Sequence, residues 1–277
     1  MKKSFLFFII CSCISIIGTA QVNMPAPSPT QTIKQDFGLS SIELNYSRPA
    51  IKGRKIFGEL VPYGKMWRTG ANGATRIKFG DDVVIGGQQV KAGEYALYTI
   101  PNENEWEIIL NKGVDNGGLA GYKSAEDVTR FKVKSASLQA PVESFTMQFG
   151  DVKPSSTELL LRWENTVVSI PITTDVDSKV MAQINDLMNK DNRPYYQSAL
   201  YYADNGKDLN QAIAWFDKAI EQNPKGYYIY YQKATALVKM GKKEEAKKVS
   251  QKSMDVARQE KNDDYVRLNE KLLASLK

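Results

Sequence analysis

The chain has 277 residues, 42% hydrophobic and 25% charged, with 37 basic against 31 acidic side chains and a formal net charge of +6. Histidine is absent throughout, which excludes a Ser-His triad, the usual imidazole base and most zinc or copper sites, and leaves any chemistry to carboxylates, Tyr, Lys or Ser. So mild a charge excess argues against nucleic acid as a partner.

The first predicted element is a targeting segment. Lys2 and Lys3 precede an apolar run from Phe5 to Ile17, and the small residues Gly18-Thr19-Ala20 precede Gln21. About a dozen apolar residues fall short of the roughly 18 that a spanning helix needs. Residues 1–20 therefore read as a signal peptide, and the expectation is an exported protein, periplasmic, envelope-associated or secreted. Cleavage after Ala20 removes both cysteines, Cys11 and Cys13, and leaves 35 basic against 31 acidic side chains, a net charge of +4. The mature chain then has no thiol, disulfide or soft metal ligand, and no cofactor is expected. A lipid anchor at Cys13, preceded by the small Ser12, is the alternative route to a membrane. Residues 21–30, with Met24-Pro25-Ala26-Pro27-Ser28-Pro29-Thr30, read as an extended, poorly ordered tether, because each proline fixes its own φ and biases its predecessor away from helix.

Residues 31–173 read as β structure. Period-two alternation recurs at Ile42, Leu44, Tyr46; Ile77, Phe79; Tyr95, Leu97, Thr99; Trp106, Ile108, Leu110; Phe145, Met147, Phe149; Leu159, Leu161, Trp163; and Val168, Ile170, Ile172, the pattern of antiparallel strands. Gly86-Gly87 between Val83-Val84-Ile85 and Val90 is the signature of a two-residue hairpin. With no long amphipathic helix in between, a sandwich or barrel-like all-β domain is favoured over a βαβ fold.

Within this domain, residues 46–72 are densest in glycine, proline, aromatic and basic residues. Its cations include Arg48, Lys52, Arg54, Lys65 and Arg68 against a single carboxylate, Glu59, and Tyr46, Phe57, Tyr63 and Trp67 interleave flat apolar faces. Arginine forks match planar anions, and aromatic faces stack on sugar or base rings. Candidate ligand-binding residues are therefore Arg48, Lys52, Arg54, Tyr63, Trp67, Arg68 and Asn72. The competing reading is a sheet corner in which arginine stems pack over Trp67 and their guanidinium groups satisfy loop carbonyls. A second irregular stretch, Asn111 to Tyr122, has four glycines in twelve residues. It reads as a long connection, because no helix with a Lys-Ser or Lys-Thr start follows it.

From about Ser178 the period becomes 3.6, with Val180, Ile184, Leu187 and Met188 on one helix face, and residues 178–277 read as an all-α domain. Ala212 and Ala246 lie 34 residues apart, as do Ala219 and Ser253, with Phe216 corresponding to Ser250 and Pro224 closing the first unit. A period of 34 with small residues where paired helices touch and an aromatic beside them resembles the tetratricopeptide repeat, in two units at about 193–226 and 227–260. The expected packing residues are Ala212, Phe216, Ala219, Ala246 and Ser253. The helix before the repeats and a last helix bearing Tyr265, Leu268, Leu272 and Leu276 are expected to act as caps. The repeat resemblance implies a protein partner.

The blocks Tyr46-Ser47-Arg48-Pro49, Lys52-Gly53-Arg54, Ile56-Phe57-Gly58, Leu60-Val61-Pro62-Tyr63-Gly64 and Trp67-Arg68-Thr69-Gly70-Ala71-Asn72 occur in order, followed by Ala92-Gly93, Ile100-Pro101, Asn111-Lys112 and Arg162-Trp163-Glu164. Across residues 30–172 this resembles a family of exported bacterial proteins catalogued as domain of unknown function 2911. The resemblance implies a secreted or periplasmic β domain and brings no activity or ligand with it. Three functional readings follow from the residues. A non-catalytic module would hold a small anionic or carbohydrate ligand on the β domain and a protein partner on the repeats. A hydrolase of an envelope polymer would need paired carboxylates such as Glu94 and Glu107 in one cleft. In a structural envelope protein the dense stretch would only close the fold.

Overall fold

The computed structural model describes residues 24–277; the segment read as a signal peptide, with Cys11 and Cys13, lies outside the described residues. The chain divides into two compact units between Thr174 and Asp175. The first is all-β: β1 (Thr30–Phe37), β2 (Ser40–Ser47), β3 (Thr75–Phe79), β4 (Val83–Ile85), β5 (Gln88–Val90), β6 (Gly93–Ile100), β7 (Glu105–Asn111), β8 (Asp127–Gly150) and β9 (Ser156–Thr173). They form one antiparallel sheet in the order β1-β2-β3-β6-β7-β8-β9-β4-β5. The sheet folds over itself because β8 serves both halves. Its first residues pair with β7 and its last with β9, and its register breaks between Ser137 and Val142 and again between Val142 and Thr146. Side chains from all nine strands then meet in one core.

The same break explains a change of face along β9. Leu159, Leu161 and Trp163 point inward at odd positions, and Val168, Ile170 and Ile172 at even ones. Glu164, at φ 51°, takes up the extra residue. A one-residue slip exchanges the two faces of a strand, and an irregularity of this kind lets both halves stay buried. A second closure follows β2, where the Phe145 amide donates to the Pro49 carbonyl and the Ile51 amide to the Glu143 carbonyl, both at 2.8 Å. The chain thus crosses between layers just where its dense stretch begins.

Two segments depart from the sequence reading. The proline run is ordered at its end: β1 starts at Thr30, the Pro29 carbonyl accepts from the Arg48 amide at 2.9 Å, and the Ser28 carbonyl accepts from the Asn72 amide group at 3.2 Å. Strand β1 has a weak pattern because, at the edge of the sheet, it turns only Ile33 and Phe37 toward the core. In addition, β6 is buried on both faces. Tyr95 and Leu97 enter the main core, while Ala96 and Tyr98 pack with Ile109 under Met66, Ala74 and Tyr122 from the two loops at 66–74 and 111–122.

The second unit is six helices: α1 (Val176–Leu187), α2 (Tyr195–Asp204), α3 (Leu209–Gln222), α4 (Tyr227–Lys239), α5 (Lys243–Gln259) and α6 (Asp263–Ser275). Asp175, Asp208 and Asn262 cap α1, α3 and α6 by accepting backbone amides in the first turn, which satisfies donors the helix itself cannot. Ala212, Phe216, Ala219, Ala246 and Ser253 are all buried. Where the first repeat has Phe216, the second has Ser250, and the space is filled by a closed polar network. Ser250 Oγ donates to Asn269 Oδ1 at 2.9 Å, Asn269 Nδ2 donates to Ser253 Oγ at 2.9 Å and to the Tyr265 carbonyl at 2.7 Å, and Ser253 Oγ donates to the Tyr227 carbonyl at 2.8 Å. Leu276 and Leu272 at the end of the chain cover Leu237 and Ala246. At the other end, α1 is tied to α2 by Asp177, which accepts from the Tyr201 hydroxyl at 2.8 Å and from Lys207 Nζ at 2.7 Å.

A network this enclosed makes Asn269 a stability determinant. Asn269→Ala leaves the Ser250 hydroxyl buried without its acceptor, a cost of about 1–3 kcal/mol. Thermal unfolding followed at 222 nm should show the helical transition several degrees lower. An unchanged transition would mean that water replaces the amide freely.

Candidate functional site

Trp67 sets the geometry of the dense stretch. Its ring lies in the core, stacked on Trp163 with centroids 5.7 Å apart and planes at 19°, and meets Phe57, Trp106 and Phe145 edge-on at 6.1, 6.1 and 5.0 Å. Its backbone pairs with Thr99 of β6, the two amides donating across at 2.7 and 3.0 Å. Its indole Nε1 donates to the Gly70 carbonyl at 3.0 Å. Between these anchors the backbone enters the left-handed region at Thr69 (φ 56°) and again at Asn72 (φ 60°). A β-branched residue there costs on the order of 1–3 kcal/mol and persists only where its surroundings hold it. Here the buried Thr69 hydroxyl donates to Thr99 Oγ1 at 3.1 Å, and the Thr69 carbonyl accepts from Thr75 Oγ1 at 2.6 Å. Gly70 is required between them, since a Cβ would lie 3.0 Å from the Ser47 carbonyl oxygen.

The loop so held opens on a cleft of about 380 Å³ whose lining includes Arg54, Lys65, Arg68, Asn72, Leu60, Pro62, Met66 and Leu119. No carboxylate lines it, and among the described residues none of the three cations makes an ion pair. Arg54 is tethered by Nε to the Ile51 carbonyl at 2.9 Å and by Nη2 to the Ala50 carbonyl at 2.7 Å. Arg68 is tethered by Nη1 to the Asn72 carbonyl at 2.7 Å. Each guanidinium is thereby oriented on one side and keeps donors on the other. The Asn72 amide nitrogen donates to Ser47 Oγ at 3.1 Å as well as to Ser28. Beyond Asn72 a separate polar hollow of about 410 Å³ runs along Glu43, Asn45, Arg76 and Glu94.

The glycine-rich loop is more than a connection. Leu119 lines the cleft, and Gly118 lies so close to Arg68 that a Cβ would sit 2.7 Å from Nη1. The loop is pinned from behind: the buried Tyr98 hydroxyl donates to the Gly118 carbonyl at 3.0 Å and accepts from Asn116 Nδ2 at 3.2 Å. Burial, the largest influence on it, pushes the Tyr98 phenol up from its ordinary value, so it remains a donor. At its far end Asp127 accepts from Tyr122, Asn111 and Arg130 at 2.8, 2.8 and 3.0 Å. These partners lie on β6 and β8, out of reach of a local reading.

Of the residues singled out from sequence, Arg54, Trp67, Arg68 and Asn72 meet at this cleft; Arg48, Lys52 and Tyr63 are not among its lining residues. Arg48 is a strut between layers, donating by Nε to the Phe145 carbonyl at 3.1 Å and by Nη2 to Thr146 Oγ1 at 2.9 Å. Lys52 occupies a left-handed turn (φ 48°) whose amide donates to Glu143 Oε1 at 2.9 Å. Tyr63 packs its ring over Gly58 and faces a different hollow, beside Asn102 and Glu103. Trp67 contributes from within the core and has no free face for stacking. The proposed carboxylate pair does not form either. Glu94 lies opposite Lys78, whereas Glu107 lies opposite Ile100, six residues further along β6, and pairs with Arg130 at 3.2 Å. That spacing is roughly 20 Å along a strand, beyond the roughly 5–9.5 Å that glycoside hydrolysis requires. Leu60, Lys65 and Leu119 complete the cleft; for Lys65 the signal was its place in the basic window, and for the two leucines there was none.

The different roles of the two arginines are separable. Arg48→Gln removes both links to β8 and should cost about 1–3 kcal/mol in thermal or urea unfolding. Arg68→Gln gives up one exposed bond that water can replace, and should stay within about 0.5 kcal/mol of the parent. Equal losses at the two sites would make Arg68 a second strut.

A family profile described as protein of unknown function (DUF2911) matches residues 28–172. Tetratricopeptide repeat profiles match residues 193–225 and 215–248. No curated protein and no solved structure matches the chain. The first match covers more than half of the chain and coincides with the β unit from the docked proline run to the end of β9, so the chain belongs to the DUF2911 family, with two tetratricopeptide repeats following the family domain.

Proposed function

We propose that this is an exported binding module without catalytic groups of its own, whose β unit holds a small anionic or carbohydrate ligand in the cleft while the helical repeats hold a protein partner. The observation that carries the reading is the set of cations at the cleft: Arg54, Lys65 and Arg68 have neither a lining carboxylate nor an ion-pair partner among the described residues. Positive groups kept together in this way repel one another, a standing cost that an acceptor ligand offsets. The strained Thr69 points the same way, since strain of this kind clusters at ligand sites.

Tetratricopeptide repeats generally mediate protein–protein recognition. In this chain the helical unit carries a run of tyrosines suited to that role. Tyr196 of α2 meets Tyr228 at 5.1 Å, and Tyr265 of α6 meets Tyr227 and Tyr231 of α4 at 4.9 and 5.6 Å. All are half-buried, so each presents an apolar body with a polar tip, the character of recognition surfaces. Export rests on the apolar run and small residues ahead of Gln21, with a lipid anchor at Cys13 as the alternative.

The test is a thermal-shift screen of the chain from Gln21 onward against anionic metabolites and sugars, repeated with Arg54→Gln/Arg68→Gln. The variant should melt close to the parent yet lose the stabilisation given by whichever compound the parent binds. A variant that responds to that compound as the parent does would remove the cleft from the function.

A further inference from the structure

Resting on the reading of this cleft as a ligand site, we infer that its ligand is an amphiphilic organic anion, one carboxylate or phosphate head on a compact apolar body, and that it is not a carbohydrate. Sugars are gripped through free aromatic faces and through side chains that both donate and accept. The cleft provides no ring face, and of side chains that both donate and accept it has only Ser28 and Asn72. Trp67 and Trp163 are stacked on each other and only 8% and 2% exposed, so no ring face is offered. No aspartate or glutamate lines the cleft to accept sugar hydroxyls; the Asn72 side-chain nitrogen already donates to Ser28 and Ser47, and the Asn72 backbone carbonyl already accepts from Arg68, which leaves Asn72 Oδ1 and the Ser28 hydroxyl as the side-chain acceptors. What remains is rich in donors: the outward N–H groups of Arg54 and Arg68 and the Lys65 ammonium. Three charged donors with no carboxylate among them suit a group that only accepts, as carboxylates and phosphates do.

The rim specifies the rest of the molecule. Leu60 and Leu119, from two different loops, are 45% and 44% exposed and line the same cleft as the cations. Exposed leucines are ordinary singly, but two that line one charged pocket give it apolar surface that a ligand's hydrocarbon would cover. A volume of about 380 Å³ is at the small end of ligand pockets, which suits a metabolite of a few to a dozen carbons. The head is thereby placed against the arginines and the body against the leucines.

Isothermal titration of the chain from Gln21 onward with octanoate, inorganic phosphate and N-acetylglucosamine tests this. Octanoate should bind, phosphate at least tenfold more weakly, and N-acetylglucosamine not at all. Arg54→Gln/Arg68→Gln should weaken octanoate by tenfold or more, since each charged hydrogen bond is worth about that factor. Leu60→Ser/Leu119→Ser should weaken octanoate and leave phosphate unchanged. Phosphate binding as tightly as octanoate would overturn the apolar body. N-acetylglucosamine binding that is lost with the arginines would overturn the inference while leaving the cleft a ligand site; no binding of any probe would overturn both. Phosphatidylglycerol vesicles separate a free ligand from a membrane surface: the chain should stay in the supernatant. Sedimentation abolished by Leu60→Ser/Leu119→Ser would overturn the free ligand in favour of a lipid surface.

Discussion

The β unit depends on one buried side chain, Trp67. Its ring is shared among Phe57, Trp106, Phe145 and Trp163, which come from the adjoining loop and from β7, β8 and β9. Contacts of this kind are worth about 0.5–1.5 kcal/mol per pair beyond the area they bury. Because the same residue also pairs its backbone with Thr99 and its indole with Gly70, the ring that ties the layers together also fixes the start of the Arg68–Asn72 turn. Trp67 is held inward, and Arg68 follows it onto the cleft. The left-handed Thr69 is the conformational cost of that reversal, and its two hydroxyl-level bonds to Thr99 and Thr75 keep it in place.

Much of this was legible in the residues. The strands that face the main core carry period-two patterns because one side of each meets only apolar neighbours, and the 34-residue spacing of Ala212 with Ala246 marks the helices that touch most closely. The parts that were not legible depend on distant partners. Arg48 and Arg68 belong to the same basic stretch, yet Arg48 is a strut only because Phe145 and Thr146, 97 and 98 residues away, reach it. The loop at 111–122 shows no periodicity because what orders it is Tyr98 and Asp127, single polar groups on β6 and at the head of β8. Strand β1 was placed in the β domain but not picked out as a strand, apart from Thr30 at the end of the tether, because an edge strand with two core-facing residues gives almost no signal.

The helical unit shows how a short repeat array is completed. Two tetratricopeptide units are fewer than the three that usually stand alone, and α6 supplies the missing surface through Leu272 and Leu276. It also supplies Asn269, whose amide satisfies the serines standing where the first repeat has an aromatic and a small residue. A buried polar network that is fully paired fixes register more strictly than an apolar contact of similar size. The resulting α4–α5–α6 packing holds Tyr227, Tyr231 and Tyr265 together.

The central claim is that the cleft is preorganised: Trp67 holds the cationic turn in its strained form before any ligand arrives. Native-state hydrogen exchange of the ligand-free chain tests this directly at two amides, Trp67, which donates to Thr99, and Thr75, which donates to Arg68. Both should exchange only through global unfolding of the β unit, with the same opening free energy as the amides of β6 and β7. Exchange of Trp67 and Thr75 through a low-energy local opening, while β6 and β7 remain protected, would contradict it.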